Sequence, residues 1–269
     1  MLTQTQKKEP MQIELVTPLL ETPVSIIIPA FNEEKRIGRT IKELVNNMPS
    51  LSEIIVTFDG TDQTAKVAQE ASEKVKVVQY SHRLGQGGAV FEGIKLAKGK
   101  VICFIDADGA APWYEVLRVC SLVDKNIPVV YGSRWVRGAK IGRKESFRNI
   151  LGGRIYHYLA FAILGVKEKD SFCGVKAFSR DIALELSKRV TLTDRTFNIA
   201  ISYNLKLMGN EIKEVGIEWS HVDGTQLHVS SKVVLLMFMT LLGLRLAHCS
   251  NCERLKRFIV AFRGKIDFY

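Results

Sequence analysis

The chain lacks any apolar run long enough to cross a bilayer, and cysteine is scarce in it. Its two main apolar segments, residues 155–164 and 233–244, are shorter than the ~20 residues that a transmembrane helix needs, and Arg245 follows the second. Five cysteines spread along 269 residues are an odd number, which argues against a disulfide scaffold and fits a reducing compartment. Residues 1–22 are polar and contain no signal-peptide core. We therefore expect a disordered N-terminal tail at 1–22 and a cytoplasmic location.

Acidic residues are outnumbered, and this favours anionic partners. The 28 Asp and Glu residues against 38 Lys and Arg leave a net charge of +10. Nucleic acid is not expected as a partner, because the basic residues are not arranged with aromatic residues in a base-recognition motif. They concentrate instead in a basic loop, residues 134–154, in which Glu145 is the only acid. Its cations are Arg134, Arg137, Lys140, Arg143, Lys144, Arg148 and Arg154. This loop is suited to phosphate or to anionic lipid headgroups.

Apolar runs alternate with helix-like segments in the first half of the chain. Short apolar runs at 24–28, 53–58, 75–78 and 101–105 predict strands, and residues 33–47, 62–74 and 88–98 between them predict helices. Near-continuous apolar strands separated by helices are typical of parallel βαβ units, buried on both faces. With 46% hydrophobic residues, the chain is expected to form one α/β domain with a sizeable core.

Two carboxylates follow the apolar run at 101–105, at Asp106 and Asp108. If that run is a buried strand, both acids emerge at its carboxyl end, where open α/β sheets bind ligands. Mg²⁺ and Mn²⁺ prefer such oxygen ligands, and Mg²⁺ commonly takes one or two protein carboxylates and completes its shell with substrate phosphates and water. The pair therefore predicts a divalent metal site that binds a nucleotide diphosphate.

Five motifs in this order resemble the family 2 inverting glycosyltransferases. They are PAFNEE at 29–34, FDGTDQT at 58–64, RLGQGGAVFEG at 83–93, DADGA at 106–110 and GSR at 132–134. The chain further resembles the dolichyl-phosphate β-glucosyltransferase and mannose synthase branch of this family at residues 146–148, 170, 173–178, 219 and 223–225. At these positions it resembles the glucosyltransferases more closely than the mannose synthases. The resemblance covers residues 24–247. It implies a GT-A, Rossmann-like α/β fold with a mostly parallel sheet flanked by helices, followed by C-terminal interfacial or amphipathic helices.

The resemblance also assigns a donor site. It places five residues around the nucleoside, namely Pro29, Phe31, Glu33, Thr57 and Asp59. Asp59 is expected to accept a hydrogen bond from a pyrimidine N3–H, although the acid that often precedes this position in the family is replaced by Phe58. Asp106, Ala107 and Asp108, here called the acidic motif, are expected at the diphosphate with Mg²⁺ or Mn²⁺. The implied donor is UDP-glucose or GDP-mannose.

The implied acceptor is a polyprenyl (dolichyl) phosphate, with Arg134 and Arg148 orienting its phosphate. The second pKa of a phosphate monoester is about 6, so this nucleophile is largely a dianion near neutrality and needs positioning more than deprotonation. Asp106, Asp108 and the metal would stabilise the departing nucleotide diphosphate. A single displacement would convert an α-linked nucleotide sugar into a β-linked lipid phosphosugar. The resemblance implies that such a transfer would feed protein glycosylation.

Two other functions remain open at the level of sequence. A family 2 enzyme acting on a saccharide hydroxyl would need a general base, for which Asp194 is available, while Asn198 stands where the glucosyl branch commonly carries an acid. A nonenzymatic protein that binds nucleotide sugars or anionic surfaces is the other alternative.

Two features of the chain allow more than one structure. The glycines at 85–88 could aim N–H groups at phosphate or allow close packing of a helix. The apolar segments could be core helices or interfacial helices with basic flanks. With a lipid-phosphate acceptor we expect the interfacial alternative, a catalytic domain at 23–230 and a membrane-associating segment at 231–269. The protein would then lie peripherally on the cytoplasmic face of a membrane.

Overall fold

The computed structural model describes residues 22–144, 146–222 and 231–247, and for Arg148 and residues 231–234 it describes the backbone alone. The strands are β1 Val24–Ala30, β2 Leu51–Phe58, β3 Val75–Gln79, β4 Val101–Phe104, β5 Val129–Ser133, β6 Lys140–Ile141, β7 Lys176–Ser179, β8 Lys213–Gly216 and β9 Glu218–Trp219. The helices are α1 Ile37–Asn47, α2 Thr64–Ala71, α3 Gly85–Leu96, α4 Trp113–Ser121, α5 Phe147–Leu164, α6 Arg180–Arg189, α7 Phe197–Leu207 and α8 Ser231–Ala247. Of the expected tail at 1–22 only the last residue is described, and the basic residues after 247 lie outside the described residues.

Seven strands form one sheet in the order β3-β2-β1-β4-β7-β5-β8. Strand β7 runs antiparallel to its neighbours β4 and β5, and the other neighbouring pairs are parallel. A short parallel pair, β6 with β9, forms a second sheet. The predicted α/β fold with a mostly parallel sheet is confirmed, and the four strands expected from the apolar runs all form.

Helices cover both faces of the sheet because successive residues of a strand point to opposite faces. In β1, Ile26 and Ile28 pack into one core with residues of α1, α2 and α4. Ile27 packs into the other core with residues of α3, α6 and α7. All three isoleucines are fully buried, as expected for a central strand of a doubly covered sheet.

Helices α5 and α8 pack together in a third apolar cluster. Tyr156, Ala160 and Leu164 of α5 are buried there with Leu241 of α8, and the Tyr156 hydroxyl donates to the backbone carbonyl of Met237 at 3.3 Å. The other side of each helix is exposed. This apolar surface comprises Phe147, Leu151, Ile155, Tyr158 and Phe161 of α5 and Leu235 and Phe238 of α8. Each apolar segment is thus partly core and partly surface. No described helix has the length and apolarity needed to cross a membrane.

Glu168, in the connection between α5 and β7, carries a carboxylate oxygen that has no hydrogen-bond partner among the described residues. Its pKa is raised from 4.5 to about 7, chiefly by burial and also by the nearby charge of Glu214, with Lys206 and Lys167 acting in the opposite direction. A carboxyl whose pKa is raised on folding destabilises the folded state as pH rises from the unfolded to the folded pKa, here from 4.5 to about 7.

We therefore expect Glu168→Gln to stabilise the protein above about pH 7 and to change little below about pH 5, because it removes a buried charge that forms only at higher pH. The pKa shift corresponds to roughly 3 kcal/mol, or several degrees of melting temperature. Melting curves of both proteins across this pH range test the expectation. If the two proteins differed in melting temperature by the same amount at every pH, burial of the Glu168 charge would not be the cause of the difference.

Candidate active site

Three strand ends bring candidate residues to one edge of the sheet. Phe31 follows β1, Asp59 follows β2 and Asp106 lies two residues after β4, and β1 pairs with β2 on one side and with β4 on the other. All three strands are parallel, so their carboxyl ends meet in one crevice. The expected convergence of these motifs at one edge therefore follows from the strand order.

Asp59 is held at this edge by residues that precede α3. Its Oδ1 accepts from Arg83 Nη1 at 2.7 Å. Its Oδ2 accepts from the backbone N–H groups of Leu84 at 2.7 Å and Gly85 at 3.2 Å. The guanidinium of Arg83 lies over the Phe31 ring, 3.4 Å from its centroid. Arg83 was not predicted as a site residue, although it opens one of the family motifs, because its contacts depend on the packing of three separate chain segments.

The glycines at 85–88 form the first turn of α3 rather than a loop before it. The backbone N–H groups of Gly87 and Gly88 donate to the carbonyl of Thr193 at 2.7 and 3.3 Å. A Cβ on Gly87 would lie 2.6 Å from both the Leu192 carbonyl oxygen and Phe197 Cβ. Among the two alternatives for these glycines, the structure therefore supports close packing, since these N–H groups bind protein acceptors rather than pointing at a phosphate.

Residues on two sides of the acidic motif hold the Asp106 carboxylate in place. Gln86 Nε2 of α3 donates to Asp106 Oδ1 at 3.0 Å. On the opposite side Gly174 leaves room for the same carboxylate, because a Cβ at that position would overlap Asp106 Oδ2. Asp108 Oδ1 accepts from the Ala110 backbone N–H at 3.0 Å, and the intervening Gly109 has a φ of +70°, which suits glycine. Ala107 is buried between the two acids.

Negative charge accumulates at the acidic motif. Burial raises the pKa of Asp108, and the neighbouring charge of Asp106 raises it further. Burial also raises the pKa of Glu33, where Asp108 and Asp106 oppose the lowering effect of Arg36. A cation bound here would favour the ionised form of each acid. No group of three or more metal-ligating side chains occurs within 22–144, 146–222 and 231–247.

The other predicted nucleoside contacts differ in exposure. Pro29 is partly exposed in β1, in register with Thr57 of β2. The Thr57 side chain is fully buried and its hydroxyl has no partner among the described residues, so the structure gives it no exposed surface for a nucleoside. Glu33 is partly exposed and pairs with Arg36, whose Nε donates to Glu33 Oε2 at 2.7 Å.

Arg134 forms a bidentate pair with Asp170, 36 positions away in the sequence. Its Nε and Nη2 donate to the two carboxylate oxygens of Asp170, each at 2.8 Å, and its backbone N–H also donates to Asp170. The guanidinium carbon lies 5.1 Å from the centroid of the Trp219 ring. Two of the guanidinium nitrogens of Arg134 thus donate to a protein carboxylate. The geometry therefore gives this arginine a structural role in addition to any direct contact with an acceptor.

The segment after β9 connects the basic loop to Ala110, two residues after the acidic motif. The backbone N–H of Ser220 donates to the carbonyl of Ala110 at 2.9 Å, and that of His221 donates to the carbonyl of Arg143 at 2.9 Å. Arg148 lies in the first turn of α5, described by its backbone alone. Glu145 and residues 223–225 lie outside the described residues. The loop therefore reaches the side of the crevice that holds Asp108 and Ala110.

Asp194, the alternative general base, accepts hydrogen bonds just before α7. Its Oδ1 accepts from the backbone N–H of Thr196 at 2.7 Å and from the Thr196 hydroxyl at 2.5 Å. Asn198 is buried, and its Oδ1 accepts from Lys176 Nζ at 2.6 Å. Both polar side chains therefore have structural partners that hold the chain before α7.

Comparison with known proteins identifies the family. The sequence model of glycosyl transferase family 2 matches residues 25–186. The chain belongs to this family. This assignment makes the protein a glycosyltransferase and removes the nonenzymatic alternative.

Relatives with assigned names align with most of the chain. The dolichyl-phosphate β-glucosyltransferase of Dictyostelium discoideum is 27% identical over 267 residues, covering 89% of this chain and 81% of that protein. The Drosophila melanogaster protein of the same name is 32% identical over 235 residues, covering 78% and 70%. Among solved structures, the glucosyl-3-phosphoglycerate synthase of Mycobacterium tuberculosis in complex with Mn²⁺, UDP and glucosyl-3-phosphoglycerate aligns with a TM-score of 0.61 at 18% identity, covering 91% of this chain and 86% of that one. At that identity the structural match supports the GT-A fold alone.

Proposed function

We propose that this family 2 glycosyltransferase moves glucose from UDP-glucose to a polyprenyl phosphate, with inversion at the anomeric carbon. The observation that carries this proposal is that the segment after β9 joins a donor crevice, built by the acidic motif and Asp59, to the basic loop, through hydrogen bonds from Ser220 to Ala110 and from His221 to Arg143. Two relatives named dolichyl-phosphate β-glucosyltransferase, whose alignments cover at least 78% of this chain, support this acceptor class and this sugar.

In this proposal the base of the nucleotide binds beside Phe31 and the Arg83–Asp59 pair. Arg83 covers the Phe31 ring in the structure, so the base would stack on the guanidinium, or on the ring itself once the guanidinium has moved aside. Its ion pair with Asp59 holds it close by in either case. Asp59 and Arg83 then present an acceptor and donors to a pyrimidine edge, and Pro29 and Glu33 border the same site.

Asp106 and Asp108 would hold Mg²⁺ or Mn²⁺. The residues present fit such an ion because they offer carboxylate oxygens, and because burial and then the charge of Asp106 raise the pKa of Asp108, an effect that a bound cation would oppose. When bound, the metal would neutralise charge on the departing nucleotide diphosphate. Gln86 and Gly174 fix the Asp106 carboxylate from two sides. Fixed charge of this kind contributes because it needs no reorganisation during the reaction.

On the acceptor side, the basic loop would orient the lipid phosphate. Arg148 is the residue we assign to direct contact, because Arg134 is bidentate to Asp170. Arg134 would add positive charge at the border of the site and keep the loop in place. The phosphate oxygen then attacks as a dianion, and the proposal requires no general base.

The test is a transfer assay with Mn²⁺ or Mg²⁺, a polyprenyl phosphate and separate UDP-glucose and GDP-mannose donors, with products identified by mass. A β-linked lipid phosphoglucose is the expected product. Transfer from GDP-mannose alone would correct the sugar, and transfer only to saccharide hydroxyls would refute the acceptor.

We further propose that the apolar surface of α5 and α8 lies on an anionic membrane at the cytoplasmic face. Its members are exposed apolar side chains, with Phe147 at 76% and Tyr158 at 60%, and Arg154 within α5 adds charge attractive to anionic headgroups. A polyprenyl phosphate resides in such a membrane, so this placement would bring the acceptor to the basic loop.

The paired substitution Ile155→Asp with Phe238→Asp should abolish flotation with phosphatidylserine-containing vesicles while leaving the melting temperature unchanged, because both side chains are exposed. Leu207→Asp is a matched control, since it introduces the same charge at an exposed leucine outside α5 and α8. Leu236→Asp should instead lower the melting temperature, because Leu236 is fully buried. Flotation of the folded double variant at the level of the parent would refute the membrane placement.

A further inference from the structure

Lys176 of β7 is a fully buried cation. Its Nζ donates to the backbone carbonyl of Cys173 at 2.7 Å and to Asn198 Oδ1 at 2.6 Å. It also lies 5.0 Å from the centroid of the Phe104 ring and 5.1 Å from that of Tyr131, the two residues that pair with Lys176 across β4 and β5. Burial lowers its pKa to about 8. A lysine is costly to bury, so a site that retains one needs the bonds it makes.

The two acceptors of Lys176 belong to the two supports of Asp106. Cys173 precedes Gly174, at which an added Cβ would overlap the Asp106 carboxylate. The same connection carries Asp170, whose carboxylate holds Arg134. Lys176 therefore holds the 170–174 connection in place, and this connection contributes to both the donor side and the acceptor side of the crevice.

The second support runs through α7 and α3. Asn198 lies in the first turn of α7, and the segment just before this helix supplies the Thr193 carbonyl that accepts from Gly87 and Gly88 of α3. The neighbouring Gln86 donates to Asp106. A path of contacts and short stretches of backbone thus runs from Lys176 through each support to one carboxylate oxygen of Asp106.

We propose that Lys176 is a positioning residue that joins the 170–174 connection to the start of α7 and thereby holds Asp106 in the geometry that binds the donor. This role rests on the proposed function, because it requires Asp106 to bind the nucleotide diphosphate with its metal. The ammonium suits the position because it donates to two acceptors at once and its charge interacts with Asp106 and Asp170.

The first experiment compares Lys176→Met with the double variant Lys176→Met/Asn198→Leu. The single variant leaves the Asn198 amide without its partner, while the double variant removes both groups and should recover much of the melting temperature. If Lys176 positions Asp106, both variants should bind UDP in the presence of Mn²⁺ roughly 10-fold more weakly and show a kcat reduced by roughly 10–100-fold, as expected when a support of a metal ligand is lost. A purely structural lysine predicts that binding and kcat recover together with the melting temperature.

Lys206→Met is the matched control. Lys206 also donates to a backbone carbonyl, that of Leu164 at 2.7 Å, but it lies at the far end of α7. Its loss should leave UDP binding unchanged. Asn198→Ala is the second probe, since it breaks the link from the α7 side and keeps the lysine, and it should weaken Mn²⁺-dependent UDP binding in the same direction.

Binding by titration with UDP and Mn²⁺ needs no acceptor, so the role of Lys176 can be tested even if polyprenyl phosphate proves to be the wrong substrate. UDP affinity at the parental level in folded Lys176→Met/Asn198→Leu, or in Asn198→Ala if the lysine variants do not fold, would overturn the proposal.

Discussion

Replacing Asp108 by asparagine is expected to leave the fold intact and to lower turnover by roughly 10²-fold or more. The fold should survive because Asn retains the oxygen that accepts from the Ala110 backbone N–H. The charge, however, is lost from a position that is proposed to hold the metal of the leaving diphosphate. Burial and the charge of Asp106 raise the pKa of Asp108, so the neutral variant should also be slightly more stable than the parent when no metal is present. Turnover, metal dependence and melting temperature are measured together.

Asp124→Asn is the matched control for this prediction. Asp124 Oδ1 accepts from the backbone N–H groups of Asn126 and Ile127, both at 2.7 Å, in an exposed turn that precedes β5. That turn lies at the opposite edge of the sheet from the carboxyl ends of β1, β2 and β4. The control should keep full activity. Parental turnover of Asp108→Asn, or a parent enzyme that works equally well after removal of divalent metal by a chelator, would contradict the assignment of the acidic motif.

The sequence predicted the fold where a single physical pattern determines it. Strands β1, β2 and β4 are nearly continuous apolar runs, and such runs are stable only between two layers of helix. Parallel strands then bring Phe31, Asp59 and Asp106 to one edge without further information. These elements formed as expected, and β4 ends one residue earlier than the apolar run, at Phe104.

Other features depended on contacts between distant segments. Glycines usually mark loops, yet α3 begins at Gly85, because Asp59 accepts the backbone N–H groups at its start and Thr193 accepts those of the next glycines. The bidentate pair of Arg134 with Asp170 has no local sequence signal, although both residues fall in family motifs. For α5 and α8, composition shows that the segments are apolar but not which side another helix covers.

The loss of Arg148 should reduce transfer to polyprenyl phosphate far more than the loss of the Asp194 charge does. Arg148 is the residue proposed to pair with the acceptor phosphate, and Arg→Ala in the first turn of α5 introduces a good helix former, so the helix should persist. Asp194→Asn retains an oxygen that can accept from the Thr196 backbone N–H, so this variant should fold as well.

Because the acceptor phosphate is largely a dianion near neutrality, Asp194 has no proton to remove in the proposed reaction. With a saccharide acceptor the order would reverse, since the loss of a general base typically costs about 10²–10⁴-fold. Arg137→Ala is a suitable control for Arg148→Ala, because it removes a cation from the same basic loop. We therefore expect a large fall in kcat/KM for Arg148→Ala, a small one for Arg137→Ala and nearly parental rates for Asp194→Asn. Steady-state rates with polyprenyl phosphate and with soluble saccharides measure all three, and a collapse confined to Asp194→Asn would replace the lipid phosphate by a hydroxyl acceptor.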